Sequence, residues 1–381
     1  MPYTVVVAPD SFKGSATATA VAEALASGWS SVRSDDRLVL APMADGGEGT
    51  LDAFEVAVPG SVRHAITVLG PAGADLDASW LSLPDGTAVV ELAETSGLAH
   101  LPTLAPLDAH TYGFGQAIAA ALASGATGLL LAIGGSSSTD GGVGALAALG
   151  AHFTDPTGRP IRLGNRGLGT LAKADLSGLP PLPPGGVRIL SDVTNPLLGP
   201  TGAAAVFGPQ KGATPEQAAG MESGLARLAR VLGGGRVRAA APDAGAERGG
   251  RQLRATTPGA GAAGGTGYGL LAWGASLAPG SAAVGDALGL PALVATADVV
   301  ITGEGRFDSQ SAAGKVPAYV SHLARDAGVP ALLAAGAIQA PTDAFAAAVS
   351  LTELAGSADA AIADPQRWAR EAGAVLARQI G

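Results

Sequence analysis

Of the 23 basic residues only four are lysines: Lys13, Lys173, Lys211 and Lys315. A chain so biased toward Arg is expected to keep Lys where a compact point charge is wanted, as beside a phosphate in a small space. Three of the four stand next to glycine, in Asp10-Ser11-Phe12-Lys13-Gly14, Gly208-Pro209-Gln210-Lys211-Gly212 and Gly314-Lys315. Lys13 and Lys211 are therefore read as functional, and Lys315 is left open. Seven acids, Asp10, Asp45, Glu48, Asp140, Asp192, Glu304 and Asp308, follow predicted strands or adjoin glycine. Carboxylates beyond the carboxyl ends of strands can hold Mg²⁺ through water or act as a base on a hydroxyl. Asp140 is the one best suited to the plainer role of helix N-cap. Asp192 has no predicted helix directly behind it, which favours a ligand role.

Glycine supplies the third chemical element. Asp45-Gly46-Gly47-Glu48-Gly49-Thr50 is echoed by Asp140-Gly141-Gly142-Val143-Gly144-Ala145, and Gly264-Gly265-Thr266-Gly267 is a looser copy without the acid. Such loops allow positive φ and close approach of a ligand, and at a helix start their N–H groups favour an anion. One loop alone is more simply a tight turn; three such loops, two of them with acids attached, predict a ligand carrying several phosphate or carboxylate groups. Other chemistries find no support. There is no Gly-x-x-x-x-Gly-Lys-[Ser/Thr] and no Gly-x-Ser-x-Gly, and the Gly-x-Gly-x-x-Gly at Gly259–Gly264 does not follow a predicted strand. The histidines at 64, 100, 110, 152 and 322 never fall at helical ligand spacing, which argues against zinc. The hydroxyls of Ser136–Ser138 suit phosphate binding better than nucleophilic attack.

The elements that must position these residues alternate between strand and helix, so an α/β protein is predicted. Predicted strands cover Val5–Ala8, Arg37–Ala41, Val62–Leu69, Leu76–Leu83, Thr87–Leu92, Gly128–Ile133, Arg188–Ser191, Asp298–Thr302 and Ala331–Ala335. Predicted helices cover Ala16–Ser27 (N-cap Ser15, Gly28 at C′), Gly49–Val58, Thr111–Ser124 and Lys315–Ala327. Thr214-Pro215-Glu216-Gln217 forms a capping box that opens a long helix reaching Leu232. Pro156–Gly186 and Gly233–Pro258 read as irregular.

Composition bounds the rest. The chain has 381 residues with 57 Gly and 26 Pro, yet only 14% charged residues, which excludes disorder driven by charge. The glycines show no three-residue period, which excludes a collagen-like chain. A net charge of −9 and no basic block argue against nucleic acid or an anionic membrane as partner. Mean hydropathy is +0.32, but the richest apolar stretch, Phe114–Ile133, is interrupted by Gln116, Ser124, Gly125, Thr127 and Gly128. The first ten residues read as a buried strand rather than a signal peptide, and the lack of Cys makes a cytoplasmic setting the expectation.

Taken together, the motifs resemble the type I glycerate kinases. The resemblance rests on Ala8-Pro9-Asp10-Ser11-Phe12-Lys13-Gly14-Ser15, Met43-Ala44-Asp45-Gly46-Gly47-Glu48-Gly49-Thr50, Gly134-Gly135-Ser136 and Thr139-Asp140-Gly141-Gly142. It continues through Asp192-Val193-Thr194-Asn195-Pro196-Leu197, Phe207 to Thr214, Pro258-Gly259-Ala260-Gly261 and Ile301-Thr302-Gly303-Glu304-Gly305-Arg306 with Asp308 and Gln310. These segments stand in family order over residues 3–340. Departures are Ser191, where the family often has Cys, Ser137-Ser138-Thr139, where it often has Ala-Thr-Asn, and a longer, more Arg-rich 233–258 stretch.

The resemblance implies ATP- and Mg²⁺-dependent phosphorylation of D-glycerate, generally with 2-phosphoglycerate as product. It implies a Rossmann-like, mostly parallel sheet domain with a second α/β domain inserted and the active site in the cleft between them. Residues 1–75 with 290–381 are assigned to the first domain and 76–289 to the insert. On this reading Lys13 and Lys211 neutralise phosphate or carboxylate charge, and amides of Gly134, Gly135, Ser136, Gly141, Gly142, Gly261, Gly264 and Gly265 cradle ATP phosphates. Asp192 leads as base or metal ligand, with Asp45, Glu304 and Asp308 as alternates. Asp10, Ser11, Glu304 and Arg306 bind substrate, and Asp308 and Glu48 are the metal carboxylates. The partners are D-glycerate and ATP alone, on a monomer or homodimer. A 3-phosphoglycerate product, another small hydroxy acid, or a non-catalytic phosphometabolite binder are the alternatives.

Overall fold

The structure is a computed structural model that describes residues 2–233, 253–309, 311 and 314–380. Gln310 and most of the 233–258 stretch, residues 234–252, lie outside the described residues. Strands in chain order are β1 Thr4–Pro9, β2 Arg37–Leu40, β3 Val62–Leu69, β4 Asp75–Ser82, β5 Thr87–Glu91, β6 Gly128–Ala132 and β7 His152–Thr154. They continue with β8 Lys173–Asp175, β9 Val187–Leu190, β10 Ser276–Ala278, β11 Val299–Phe307, β12 Ala331–Ile338 and β13 Ala347–Ser350. The fold is α/β with parallel-rich sheets. The chain divides into two compact units: Met1–Asp45, Asp52–Pro59 and Pro279–Gly381 form the first, Gly46–Leu51 and Gly60–Ala278 the second.

The first unit is built on an all-parallel sheet in the order β13-β12-β11-β1-β2. The chain moves from β1 to β2 on one side and from β11 through β12 to β13 on the other, so strand order reverses between β1 and β11. Open α/β sheets bind ligands at such a switch point, beyond the carboxyl ends of the strands. One face buries Val5, Val7, Ile301 and Leu332 against Leu25, Trp29 and Leu376. The alternate Leu333 and Ala335 point to the other face with Phe307.

The first helix corrects the expected caps. It spans Ala18–Ser30, is capped by Thr17, whose Oγ1 accepts from the Ala20 N–H at 3.2 Å, and runs straight through Gly28. Ser15 instead donates its hydroxyl to the Phe12 carbonyl at 2.9 Å. Gly28 faces the C-terminal helix Pro365–Gln379, where an added Cβ would lie 1.8 Å from the Arg370 carbonyl oxygen. Gly28 thus permits close helix packing rather than ending the helix.

The second unit carries a sheet in the order β10-β9-β6-β5-β4-β3, in which β5, β6, β9 and β10 are parallel. β3 pairs antiparallel with β4 over eight positions, from Val62↔Ser82 to Leu69↔Asp75. That hairpin ties β3 to this sheet, and the β9–β10 pairing ties Ser276–Ala278 to it. Apart from the strip Gly46–Leu51, the units divide at 59/60 and 278/279, whereas the sequence places the boundaries at 75/76 and 289/290.

The expected capping box opens the helix Pro215–Gly233. Thr214 Oγ1 accepts from Gln217 N–H at 3.2 Å and Gln217 Oε1 accepts from Thr214 N–H at 2.9 Å. The helix buries Met221, Leu225, Leu228 and Leu232, one apolar stripe. The stretch 156–186, expected to be irregular, contains the helix Asn165–Leu168 and β8, both too short for a hydrophobic period to show. Among the described residues no helix is long and apolar enough to cross a membrane.

Candidate active site

The site residues of the first unit gather where β1 ends beside β11. The parallel register pairs Pro9 with Gly303, and the Asp10 N–H donates to the Gly303 carbonyl at 2.8 Å. Asp10, just past β1, and Glu304, next after Gly303 within β11, therefore stand side by side at the switch point. Asp10 is buried, its Oδ1 accepting from the Ser11 N–H at 2.7 Å. Burial, then the nearby Asp45 charge, holds its carboxyl well above the ordinary range, against the pull of Lys13. The Lys13 ammonium meets Asp45 Oδ2 at 2.9 Å, with side chains 53% and 12% exposed. Asp45, followed by Asp10 and Glu304, raises the Lys13 pKa, so this half-exposed lysine stays charged.

Glu304 is only 5% exposed, and its Oε1 has no hydrogen-bond partner among the described residues; neither has Ser11 Oγ. Burial pushes the Glu304 pKa up to about 7, moderated by Ser311, Lys315 and Lys13. Gly305 lets β11 lie close to the Phe12–Lys13 backbone, with an added Cβ 3.3 Å from Phe12 Cα. Further along, Ser311 joins the strand end to its loop: its hydroxyl donates to the Arg306 carbonyl at 3.1 Å, and its N–H to Asp308 Oδ1 at 3.2 Å. The Arg306 side chain is exposed and Asp308 half-buried.

In the second unit the glycine loops pack on one another. The Gly134 N–H donates to the Gly46 carbonyl at 2.9 Å, and a Cβ on Gly134 would lie 2.5 Å from Gly47 Cα. A Cβ on Gly46 would lie 2.6 Å from the carbonyl oxygen of Leu190, the last residue of β9. Asp192 stands two residues beyond, half-buried, and Glu48 is exposed. Gly135, Gly141 and Gly142 all have positive φ.

The two copies of the repeated motif use different acids. At the first copy, Glu91 at the end of β5 accepts from the Gly49 and Leu51 N–H groups at 3.1 and 3.0 Å, capping the helix Thr50–Ala57. At the second, Asp140 caps its own helix. Its Oδ1 accepts from the Gly142 N–H at 3.0 Å, and its Oδ2 from the Gly144 N–H at 3.2 Å and from both N–H and hydroxyl of Thr111 at 2.9 Å. Fully buried, Asp140 fastens two helix starts, Val143–Ala148 and Tyr112–Ala123. It is a structural cap.

Lys211 is only 2% exposed. Its ammonium donates to the Ser138 carbonyl and lies 3.5 Å from Ser136 Oγ. Burial lowers its pKa to about 7, with Asp140 the opposing charge. The turn Ala263-Gly264-Gly265 covers this pair. All three residues are left-handed, and Ala263, φ 53°, is the sole non-glycine with positive φ among the described residues. A side chain at Gly264 would come within 2.1 Å of the Ser138 carbonyl oxygen and 2.9 Å of Lys211 Nζ. The Gly141 N–H donates to the Gly264 carbonyl at 3.1 Å, and the Gly261 N–H to the Asn195 carbonyl at 2.9 Å. Ser136–Ser138 are buried, and their hydroxyls are bonded inside the loop or to the Ser96 carbonyl.

The structure thus joins Asp10, Ser11, Lys13, Asp45 and Glu304 in one unit, and Lys211, Ser136, Gly141 and Gly264 in the other. Sequence reasoning missed Glu91, for which an acid ending a buried strand was the available signal. It also missed Asn165, whose amide donates to the Thr139 and Met221 carbonyls at 2.7 and 3.2 Å and steadies the loop.

Residues 5–381 match the glycerate kinase family. The chain is 42% identical over 339 residues to the glycerate 2-kinase of Escherichia coli (strain K12), spanning 88% of this chain and 85% of the relative. It is 40% identical over 345 residues to the glycerate kinase of Bacillus subtilis (strain 168), spanning 89% and 86%. A crystal structure described as glycerate kinase 2 from Salmonella typhimurium LT2 is similar with a TM-score of 0.77 and 36% identity, over 99% of this chain and 98% of that one.

Proposed function

The chain belongs to the glycerate kinase family and is a kinase, and we propose that it transfers the γ-phosphoryl group of ATP to the 2-hydroxyl of D-glycerate, giving 2-phosphoglycerate and ADP. Its partners on this proposal are these small molecules alone, in the cytoplasm. The observation that carries the reading is the cluster at the β1/β11 switch point: buried carboxylates beside a charged lysine, where an α/β sheet takes its ligand. Phosphoryl transfer is largely positioning and charge neutralisation, so such a site needs donors and acceptors more than a covalent nucleophile.

In the proposed division of labour, Asp45 orients Lys13, which with Asp10, Ser11 and Arg306 receives the hydroxy acid. The glycine loops and Lys211 receive phosphate: Lys211 is held within the Ser136–Ser138 loop, and a pKa near 7 lets it gain its charge as an anion arrives. Among the described residues no three acidic or histidine side chains form a metal cage. Mg²⁺ is commonly held by one or two carboxylates plus substrate phosphates, so single acids fit a hydrated ion that enters with ATP. Asp308, Glu48 and Asp192 are the carboxylates proposed for it. Bound there, the ion would offset phosphate charge.

The test is ADP release from ATP, Mg²⁺ and D-glycerate in a coupled assay, with phosphorus NMR of the product. ADP with a 2-phosphate signal is expected. A 3-phosphate signal overturns the regiochemistry, turnover only with another hydroxy acid overturns the substrate, and no ADP at all leaves a binding protein.

A further inference from the structure

We infer that Glu304 takes the proton from the glycerate hydroxyl as its oxygen attacks the γ-phosphorus. The inference rests on the phosphoryl transfer proposed above and moves the proton-accepting role from Asp192 to Glu304. In the step, the hydroxyl oxygen forms a bond to the γ-phosphorus and the bond from that phosphorus to the β,γ-bridging oxygen breaks. ADP leaves with the bond pair, and the hydroxyl proton passes to Glu304 and then to solvent.

The geometry singles out Glu304 within its own cluster. Asp10 Oδ1 is occupied by the Ser11 N–H, and Asp45 Oδ2 by the Lys13 ammonium. Glu304 Oε1 is buried without a donor among the described residues, and the hydroxyl of Ser11, in the segment that leaves β1, is buried without a partner as well. Buried polar atoms are almost always hydrogen-bonded, so two orphans on neighbouring segments, one just past β1 and one within β11, call for a ligand that both donates and accepts. A substrate hydroxyl does both. The charged groups that face Glu304 are Lys13 and Asp45 from the loops after β1 and β2, Lys315 from the start of the helix Val316–Ala327, and Asp10 from the end of β1. Burial is the main influence, opposed by a hydrogen bond from Ser311 and by the two lysines, and a pKa of about 7 suits a base that must accept a proton near neutrality.

The test is Glu304→Gln, which keeps the shape and removes the basicity. With wild-type turnover established, the variant should melt no lower than wild type, keep its KM for ATP, and lose about 10²- to 10⁴-fold in kcat. Wild-type kcat should fall on the acid side with a midpoint near 7, and that limb should vanish from the residual activity of the variant. A folded variant that keeps kcat within about threefold of wild type and retains the limb overturns the inference. Should the variant not fold, the wild-type profile decides: a kcat flat from about pH 8 to 5.5 also overturns it. Wild-type protein that releases no ADP overturns the proposed transfer itself, a different result from an active wild type with an indifferent Glu304.

Discussion

Lys211 and Glu304 are buried ionisable groups of opposite sign, and burial drives both toward neutrality near pH 7. Their effects on stability run in opposite directions. Glu304 binds its proton more tightly in the folded chain, so its contribution falls as pH rises from 4.5 to about 7. Lys211 binds its proton more tightly in the unfolded chain, so its contribution rises with pH from about 7 to 10.5. Together they carve a stability minimum near neutrality, each worth a few kcal/mol at roughly 1.4 kcal/mol per unit. Melting curves from pH 5 to 10 should therefore show a dip near 7. Glu304→Gln should fill its acid side and Lys211→Met its alkaline side. A wild-type curve with its maximum at pH 7, unchanged by either substitution, would contradict this. Removing the Lys211 charge should also cost on the order of 10²- to 10³-fold in kcat, as loss of a single well-placed donor to developing charge does. The bias toward Arg made Lys211 legible in the sequence, but its enclosure was not, because that depends on the Gly264 turn, which comes from a distant part of the chain.

Among elements, the glycines carry meanings that only packing separates. Gly28 and Gly220 both sit inside helices and look alike in sequence. An added Cβ at Gly28 meets the Arg370 carbonyl at 1.8 Å, whereas at Gly220 nothing lies within 4 Å. Gly220→Ala should stabilise the protein by about 1 kcal/mol through helix propensity. Gly28→Ala should destabilise it by about 3 kcal/mol or more, since two helices must separate. Urea melts of the two variants check the pair, and a Gly28→Ala protein as stable as wild type would refute the packing role. The same ambiguity explains what else was legible. The strands of both sheets and the Thr214 capping box were readable because hydrophobic runs and cap chemistry are local signals. The repeated Asp-Gly-Gly motif was readable as a helix opening, but not the division of its acids, which turns on Glu91 reaching Gly49 and Leu51 from forty residues away.

At the scale of the whole molecule, the chain contributes the six residues Gly46–Leu51 to a unit whose bulk begins at Gly60. These six are structural members of that unit. Gly46 accepts from the Gly134 N–H and packs on Leu190, and Gly49 and Leu51 supply two donors to Glu91, which is 4% exposed. Without them the Gly134–Gly135 loop loses its floor, and a buried carboxylate loses two charge-assisted hydrogen bonds, each worth about 1.5–3 kcal/mol. A fragment of residues 60–278 should accordingly be less stable than one of 46–278, by about 3–6 kcal/mol. For a domain of this size that corresponds to a melting point roughly 6–24 °C lower. Circular-dichroism melts of both fragments give the comparison. Glu91→Gln placed in each fragment sharpens it: the substitution should destabilise the longer fragment, where the charge is used, and relieve the shorter one. Equal melting points for the two fragments would mean that the Gly46–Leu51 strip only rests on the second unit and that its glycine loops are ordered without it.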